Sequence, residues 1–164
     1  MQRISKDEAA ARIAAEPASA CTMCNLVETA PRIAENAAAV AVLARYAVRR
    51  GHVLVVLRRH EIAVPRLARE EWLALNDLSW HVTQAIEQAL APARTYVAAL
   101  GSVTPRPTTF PHVHEHVVPL FDGGESDRPS EVFTWSNGVY VYDDEDAEAL
   151  EETLRRAMSS TGLG

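Results

Sequence analysis

Two cysteines in a chain of 164 residues cannot build a disulfide framework, and both fall in one short unit, CTMC, as Cys21 and Cys24. A pair at that spacing reads as a metal clip or a redox couple instead. No stretch approaches the roughly 18 consecutive apolar residues of a membrane span. The opening MQRISKDEAAARIAAEP is polar and charged, so neither a membrane anchor nor a secretory signal is expected, and the chain reads as cytoplasmic. Basic charge is in deficit. With 16 Lys and Arg against 22 Asp and Glu, the formal net charge is −6, which argues against a broad nucleic-acid-binding surface. Internal repeats and low-complexity linkers are absent too. Against these absences stand a hydrophobic fraction of 48% and a charged fraction of 23%, ordinary values for a folded chain. Residues 1–164 are read as a single domain, long enough to bury its own core.

Positive charge is nevertheless concentrated in one place. Arg45, Arg49, Arg50, Arg58, Arg59, Arg66 and Arg69 share their segment with only one acid, Glu61. A solvated face with snorkelling side chains accounts for most such clusters, although a small phosphate pocket needs only local positive charge. Around this region the elements alternate. SKDEAAARIAAE carries Ser5 and Glu8 at capping-box spacing and reads as a helix ending before Pro17. A cysteine turn follows. AAAVAVLARYAV and GHVLVVLRRH read as two antiparallel strands separated by RRG. Trp72, Leu73, Leu75, Leu78, Val82, Ile86 and Leu90 keep a helical period, closed by Pro92. TYVAAL is a short strand and GSVTPRPTTF a loop. EVFTWSNGVYVY has two strand-like arms about Asn137-Gly138, a hairpin signal. DDEDAEALEETLRRAM places acids first and Arg155 and Arg156 last, as a helix dipole favours. Together these elements predict an α+β domain built on an antiparallel sheet with flanking helices.

The densest signal is PHVHEHVVPL, residues 111–120, which holds His112, His114 and His116. Half of the six histidines thus fall within five residues. In a strand, positions i, i+2 and i+4 share a face, and the valines and bounding prolines give this segment strand composition. Three aligned imidazoles suit either a metal or nucleophilic chemistry. Neutral imidazole is a good nucleophile towards phosphorus near neutral pH, and a central histidine has neighbours to orient it. Cys21 and Cys24 supply half of a tetrahedral zinc site, but spacing alone does not choose the histidines that complete it. A redox pair prefers a βαβ setting, which does not surround Cys21. A cupin-type metal site lacks its carboxylate and further histidine.

HVHEHVV matches the alternating signature of the histidine triad superfamily of nucleotide hydrolases and transferases. GHVLVVLRRH resembles the strand upstream of that signature. CTMC is similar to the zinc-binding pair of many bacterial members and of galactose-1-phosphate uridylyltransferase. The resemblance covers about residues 21–120, in the family's order, and leaves residues 121–164 as a hairpin and helix without a match. It implies a homodimer that binds a small phosphate ester or nucleotide, not nucleic acid or membrane, and that acts as a hydrolase or transferase at the α-phosphate. It makes His114 the nucleophile, with His116 and Thr109 as substrate contacts and His52 close to the nucleotide pocket. It makes Cys21, Cys24, His60 and His112 the ligands of a structural zinc ion. A zinc-stabilised binding module without turnover is the alternative.

The chain also departs from that pattern. Ala44 stands where relatives carry an Asp or Asn that bonds the ribose hydroxyls, and Gly101 falls near an expected Asn. Thr108 and Thr109 replace a Gln-Ser/Thr pair, so only the hydroxyl is retained. Glu115 takes a normally apolar position on the face opposite the histidines. Weak preference among nucleosides is the expected consequence, because a site without partners for a substrate hydroxyl cannot select for it.

Overall fold

Uninterrupted apolar runs at 39–43 and 53–57 leave no polar face on either segment, and both become interior strands of a five-stranded antiparallel sheet. A computed structural model describes residues 1–15, 21–101 and 110–162. In chain order, β1 (Gln2–Ile4) leads into α1 (Lys6–Ala14), where the Ser5 hydroxyl accepts from the Glu8 amide at 3.1 Å. The helix α2 (Thr22–Thr29) starts directly after Cys21. The strands β2 (Arg32–Glu35), β3 (Ala39–Leu43) and β4 (Val53–Leu57) follow. The long α3 (Arg69–Leu90) crosses over to β5 (Arg94–Ala98), and β6 (His114–Leu120) inserts between β4 and β5. The short α4 (Pro129–Phe133), β7 (Val139–Val141) and α5 (Asp144–Met158) complete the order. The sheet runs β2-β3-β4-β6-β5, as the predicted α+β antiparallel class requires.

Each sheet face has its own cover. Val53, Val55, Leu57 and Val117 pack under Leu75, Leu78, Val82 and Ile86 of α3 and Leu150 and Leu154 of α5. Val40, Val42, Leu54 and Val56 point the other way, towards Met23 and Val27 of α2. Every such side chain, fully buried, contributes about 1.5–3 kcal/mol. A third cluster ties the first and last segments to the sheet's end, with Ile4, Val48, Val118, Leu120, Val132, Trp135 and Val139. Gly51, at φ +85°, makes the turn into β4, and a Cβ there would lie 2.4 Å from Leu90 Cδ1. That turn therefore demands glycine.

Three expectations need correction. The cysteine unit does not form a turn: it begins α2, because Met23 and Val27, four apart, bury one helical stripe against the sheet. The second arm of AAAVAVLARYAV is not strand beyond Leu43, apart from a bridge from Ala47 to Tyr140. EVFTWSNGVYVY is no hairpin. Its first arm is α4, opened by Pro129 with its preset φ, while β7 pairs with β1, Ile4 opposite Val139. The turn signal itself survives. The Gly138 amide donates to the Trp135 carbonyl at 2.9 Å, and Gly138 sits at φ +74° against the Ile4 carbonyl.

Candidate catalytic pocket and metal centre

Register decides which side chains meet. Opposite β4, His114 pairs with Val56 and His116 with Leu54, so both imidazoles stand on the α2 side of the sheet. Glu115 pairs with Val55 and faces α3, as its position in the sequence predicts. There the Ser79 hydroxyl donates to its carboxylate at 2.5 Å, and burial raises the carboxyl's pKa above the usual range. His112 lies just before β6, yet it is fully buried and its carbonyl reaches the next histidine.

Backbone carbonyls assign the protons. A carbonyl only accepts, so the 2.6 Å contact of His114 Nδ1 with the His112 oxygen places the proton of a neutral His114 on Nδ1. Its Nε2 keeps the lone pair. His112 is arranged the other way round, because its Nε2 meets the Leu57 carbonyl at 2.7 Å and leaves Nδ1 bare. The Val48 amide donates to His52 Nδ1 at 3.4 Å, so His52 Nε2 carries a proton and donates it to His116 Nδ1 at 3.0 Å. His116 is left with its proton on Nε2. Burial holds all of these imidazoles below their ordinary pKa, His52 as low as about 3, so they are neutral at physiological pH.

The bare His112 Nδ1 lies 3.4 Å from Cys21 Sγ and 3.6 Å from Cys24 Sγ, and His60 Nδ1 is 3.5 Å from Cys24 Sγ. All four donor atoms fall within 4.8 Å of one another. A tetrahedral zinc ion with ordinary bond lengths sets sulfur and nitrogen roughly 3.5 Å apart. The donor set fits zinc in number, type and spacing. Burial, with Cys21 alongside, pushes the Cys24 thiol up to about 11, so a cation is what would make its thiolate stable here. A bound zinc would join the start of α2 to the chain one residue from Val113 and two from His114.

His52, His114 and His116 open onto a cavity of about 90 Å³. Its other walls are α2, through Met23 and Leu26, the β3–β4 turn, through Ala44 and Tyr46, and Phe110. Ile13 from α1 and Trp135 after α4 close it. The structure thus gathers the predicted metal residues Cys21, Cys24, His60 and His112 in one cluster, and His52, His114 and His116 in one pocket. Gly101 lies beside the His112 and Phe110 carbonyls. Thr108 and Thr109 fall outside the described residues. Sequence reasoning missed Leu26, Tyr46 and Trp135, whose only signal was apolar character near a turn. It also missed a carboxylate clamp. Asp127, almost fully buried, binds Arg49 at 3.0 Å and accepts from the Asp122 and Gly123 amides, fastening the segment after β6 to the β3–β4 turn. No helix among the described residues is long and apolar enough to cross a membrane.

Comparison with known proteins agrees with this geometry. An uncharacterized HIT-like protein of Mycoplasma genitalium is 29% identical over 111 residues, spanning 65% of this chain and 77% of the relative. Among solved structures, a hypothetical histidine triad nucleotide-binding protein from Sulfolobus tokodaii superposes with a TM-score of 0.68 at 20% identity, over 85% of this chain and 93% of its own. A zinc-bound histidine triad family protein from Mycobacterium smegmatis gives 0.64 at 21% identity, over 86% and 94%. The HIT domain model matches residues 25–123. With the imidazole row, the zinc-type cluster and the sheet in place, the chain belongs to the HIT domain family.

Proposed function

We propose that the protein is a hydrolase or nucleotidyl transferase that acts on a nucleotide or related phosphate ester through a covalent intermediate on His114. One observation carries the reading: the His112 carbonyl accepts a hydrogen bond from Nδ1–H of His114, which leaves a neutral imidazole with an Nε2 lone pair in a residue that lines the cavity. Attack of that lone pair on the α-phosphorus forms an N–P bond as the bond to the leaving group breaks, and the leaving group departs with the electron pair and is protonated. Water or a second acceptor then cleaves the N–P bond and restores the imidazole. His116, with its proton on Nε2, donates to a phosphate oxygen, and His52 holds it in that tautomer. The Sulfolobus neighbour's description as nucleotide-binding supports the same ligand class.

Zinc supplies structure in this reading, as a clip between α2 and the histidine segment, and a zinc-thiolate pair suits a reducing, cytoplasmic setting. A homodimer is proposed as well. The edge strand β5 exposes Val97, and α3, which packs on that strand, exposes Leu73 and Trp80. Beside them, Thr95 Oγ1 and His81 Nδ1 are buried without a hydrogen-bond partner among the described residues. Light scattering on the purified protein tests the dimer.

The chemistry is tested by incubating the protein with adenosine 5′-phosphoramidate, dinucleoside polyphosphates and simple phosphate esters, then quenching in base. Turnover together with a base-stable, acid-labile adduct at His114 is expected. Binding without adduct or turnover across the panel would leave a zinc-stabilised binding module.

A further inference from the structure

Trp135 is a bulky residue held at φ +59°, in the left-handed region that strains any non-glycine residue. The surroundings enforce it. Its carbonyl accepts from the Gly138 amide, and two residues on, Tyr140 exchanges both backbone hydrogen bonds with Ala47, at 2.7 and 2.9 Å. Gly138 is wedged against the Ile4 carbonyl, where a Cβ would be 2.4 Å away. This construction lies beyond the residues that match the family model, and it delivers an indole to the wall of the histidine cavity.

The indole does not stand alone there. The Tyr46 ring lies 6.1 Å from it, centroid to centroid, tilted by 38°. Phe133, two residues earlier, meets His116 edge-on at 5.9 Å. Ala44, almost completely buried, lines the same cavity and offers a methyl group where a hydroxyl-binding side chain would be needed to select a ribose. Polar recognition is missing at one point, and flat aromatic surface is supplied close by.

We propose that Trp135, together with Tyr46, is the specificity-determining surface of this pocket and selects phosphate esters or phosphoramidates that carry a planar ring, in place of ribose hydroxyls. This rests on the phosphate-ester reading above. Offset or tilted ring contacts favour a planar group over an alkyl chain of similar size. The Ala44 wall gives the hydroxyls no partner and so does not select for them, which leaves ring stacking to set the preference.

The test measures binding by calorimetry in a His114→Ala background, where turnover cannot contribute. The probes are 1-naphthyl phosphate, n-butyl phosphate, adenosine monophosphate and its 2′,3′-dideoxy form. The two nucleotides should bind within about twofold of each other, and the ring-bearing probes more tightly than butyl phosphate. Adding Trp135→Leu should weaken the ring-bearing probes by about tenfold and leave butyl phosphate unchanged. Trp135→Phe should retain most of the affinity but lose the ligand-induced quench of tryptophan fluorescence. Tyr46→Leu gives the same contrast should Trp135→Leu fail to fold. Equal weakening of butyl and ring-bearing probes, no weakening, or a tenfold penalty for the dideoxy nucleotide would overturn the proposal while leaving the phosphate-ester reading intact. Failure of every probe, butyl phosphate included, to bind the folded protein would remove both.

Discussion

His112 and His114 are two residues apart on one chain segment, buried to the same degree, yet they offer opposite nitrogens. His112 donates from Nε2–H to the Leu57 carbonyl and turns a bare Nδ1 to the cysteines. His114 donates from Nδ1–H to the His112 carbonyl and is left with Nε2 unprotonated. Neither difference lies in the side chain itself. Two backbone oxygens leave Nδ1 bare on one imidazole and Nε2 bare on its neighbour, so the division of labour proposed for them depends on main-chain geometry as much as on residue type.

The sharpest way to break the comparison is to remove each histidine in turn. His114→Ala should lower turnover by about a thousandfold or more and abolish the adduct, while zinc content and melting temperature stay near wild type. His112→Ala, or Cys21→Ser with Cys24→Ser, should instead release zinc and lower the melting temperature by on the order of 10 °C, read by metal analysis and thermal denaturation. Full metal retention in the double cysteine variant would dissolve the cluster as a zinc site. In the metal-replete protein both thiols should resist alkylation until a chelator is added. Rapid labelling would point to a redox pair.

Acid should come next in size. The folded-state pKa of His52 is depressed to about 3, so the unfolded chain binds the proton first as pH falls below about 6.5. Stability should therefore decline between those limits, by about 3 kcal/mol at pH 4 from His52 alone, and His116 shifts in the same direction. Urea titrations across that range measure it, and His52→Gln should flatten the slope. On the opposite face of the strand the sign reverses. Glu115 has a raised pKa, so its contribution is present at low pH and lost as pH rises through the folded value. Glu115→Gln, which keeps an acceptor for Ser79, should stabilise the protein at pH 7 by about 1 kcal/mol and have little effect at pH 4.

From the sequence, the aligned imidazoles read only as a choice between metal and nucleophile. The period-2 spacing of His112, His114 and His116 and the CTMC pair pointed to the chemistry, and the family pattern sorted the histidines between them. The helix over residues 69–90 and the strands flanking Gly51 were legible because their apolar periods are strong. The segment EVFTWSNGVYVY misled, because its strand propensity competes with Pro129 and with a partner strand 135 residues upstream, β1, that no local pattern reveals. Trp135 was unreadable for the same reason. Its place in the cavity follows from how Gly138 meets Ile4 and how Tyr140 meets Ala47, contacts between distant parts of the chain.

The Arg49–Asp127 clamp carries a consequence for the order in which the molecule comes together. The sheet with its β3–β4 turn holds all three pocket histidines and is complete by Leu120, but the cavity gains its last wall only when residues 122–141 dock on that turn. During synthesis the imidazoles would thus emerge and align before the pocket can discriminate among ligands. Until docking, Val118 and Leu120 would face water, and an early stop after the family-matched residues would leave a sticky intermediate with an open cavity in place of a smaller folded domain.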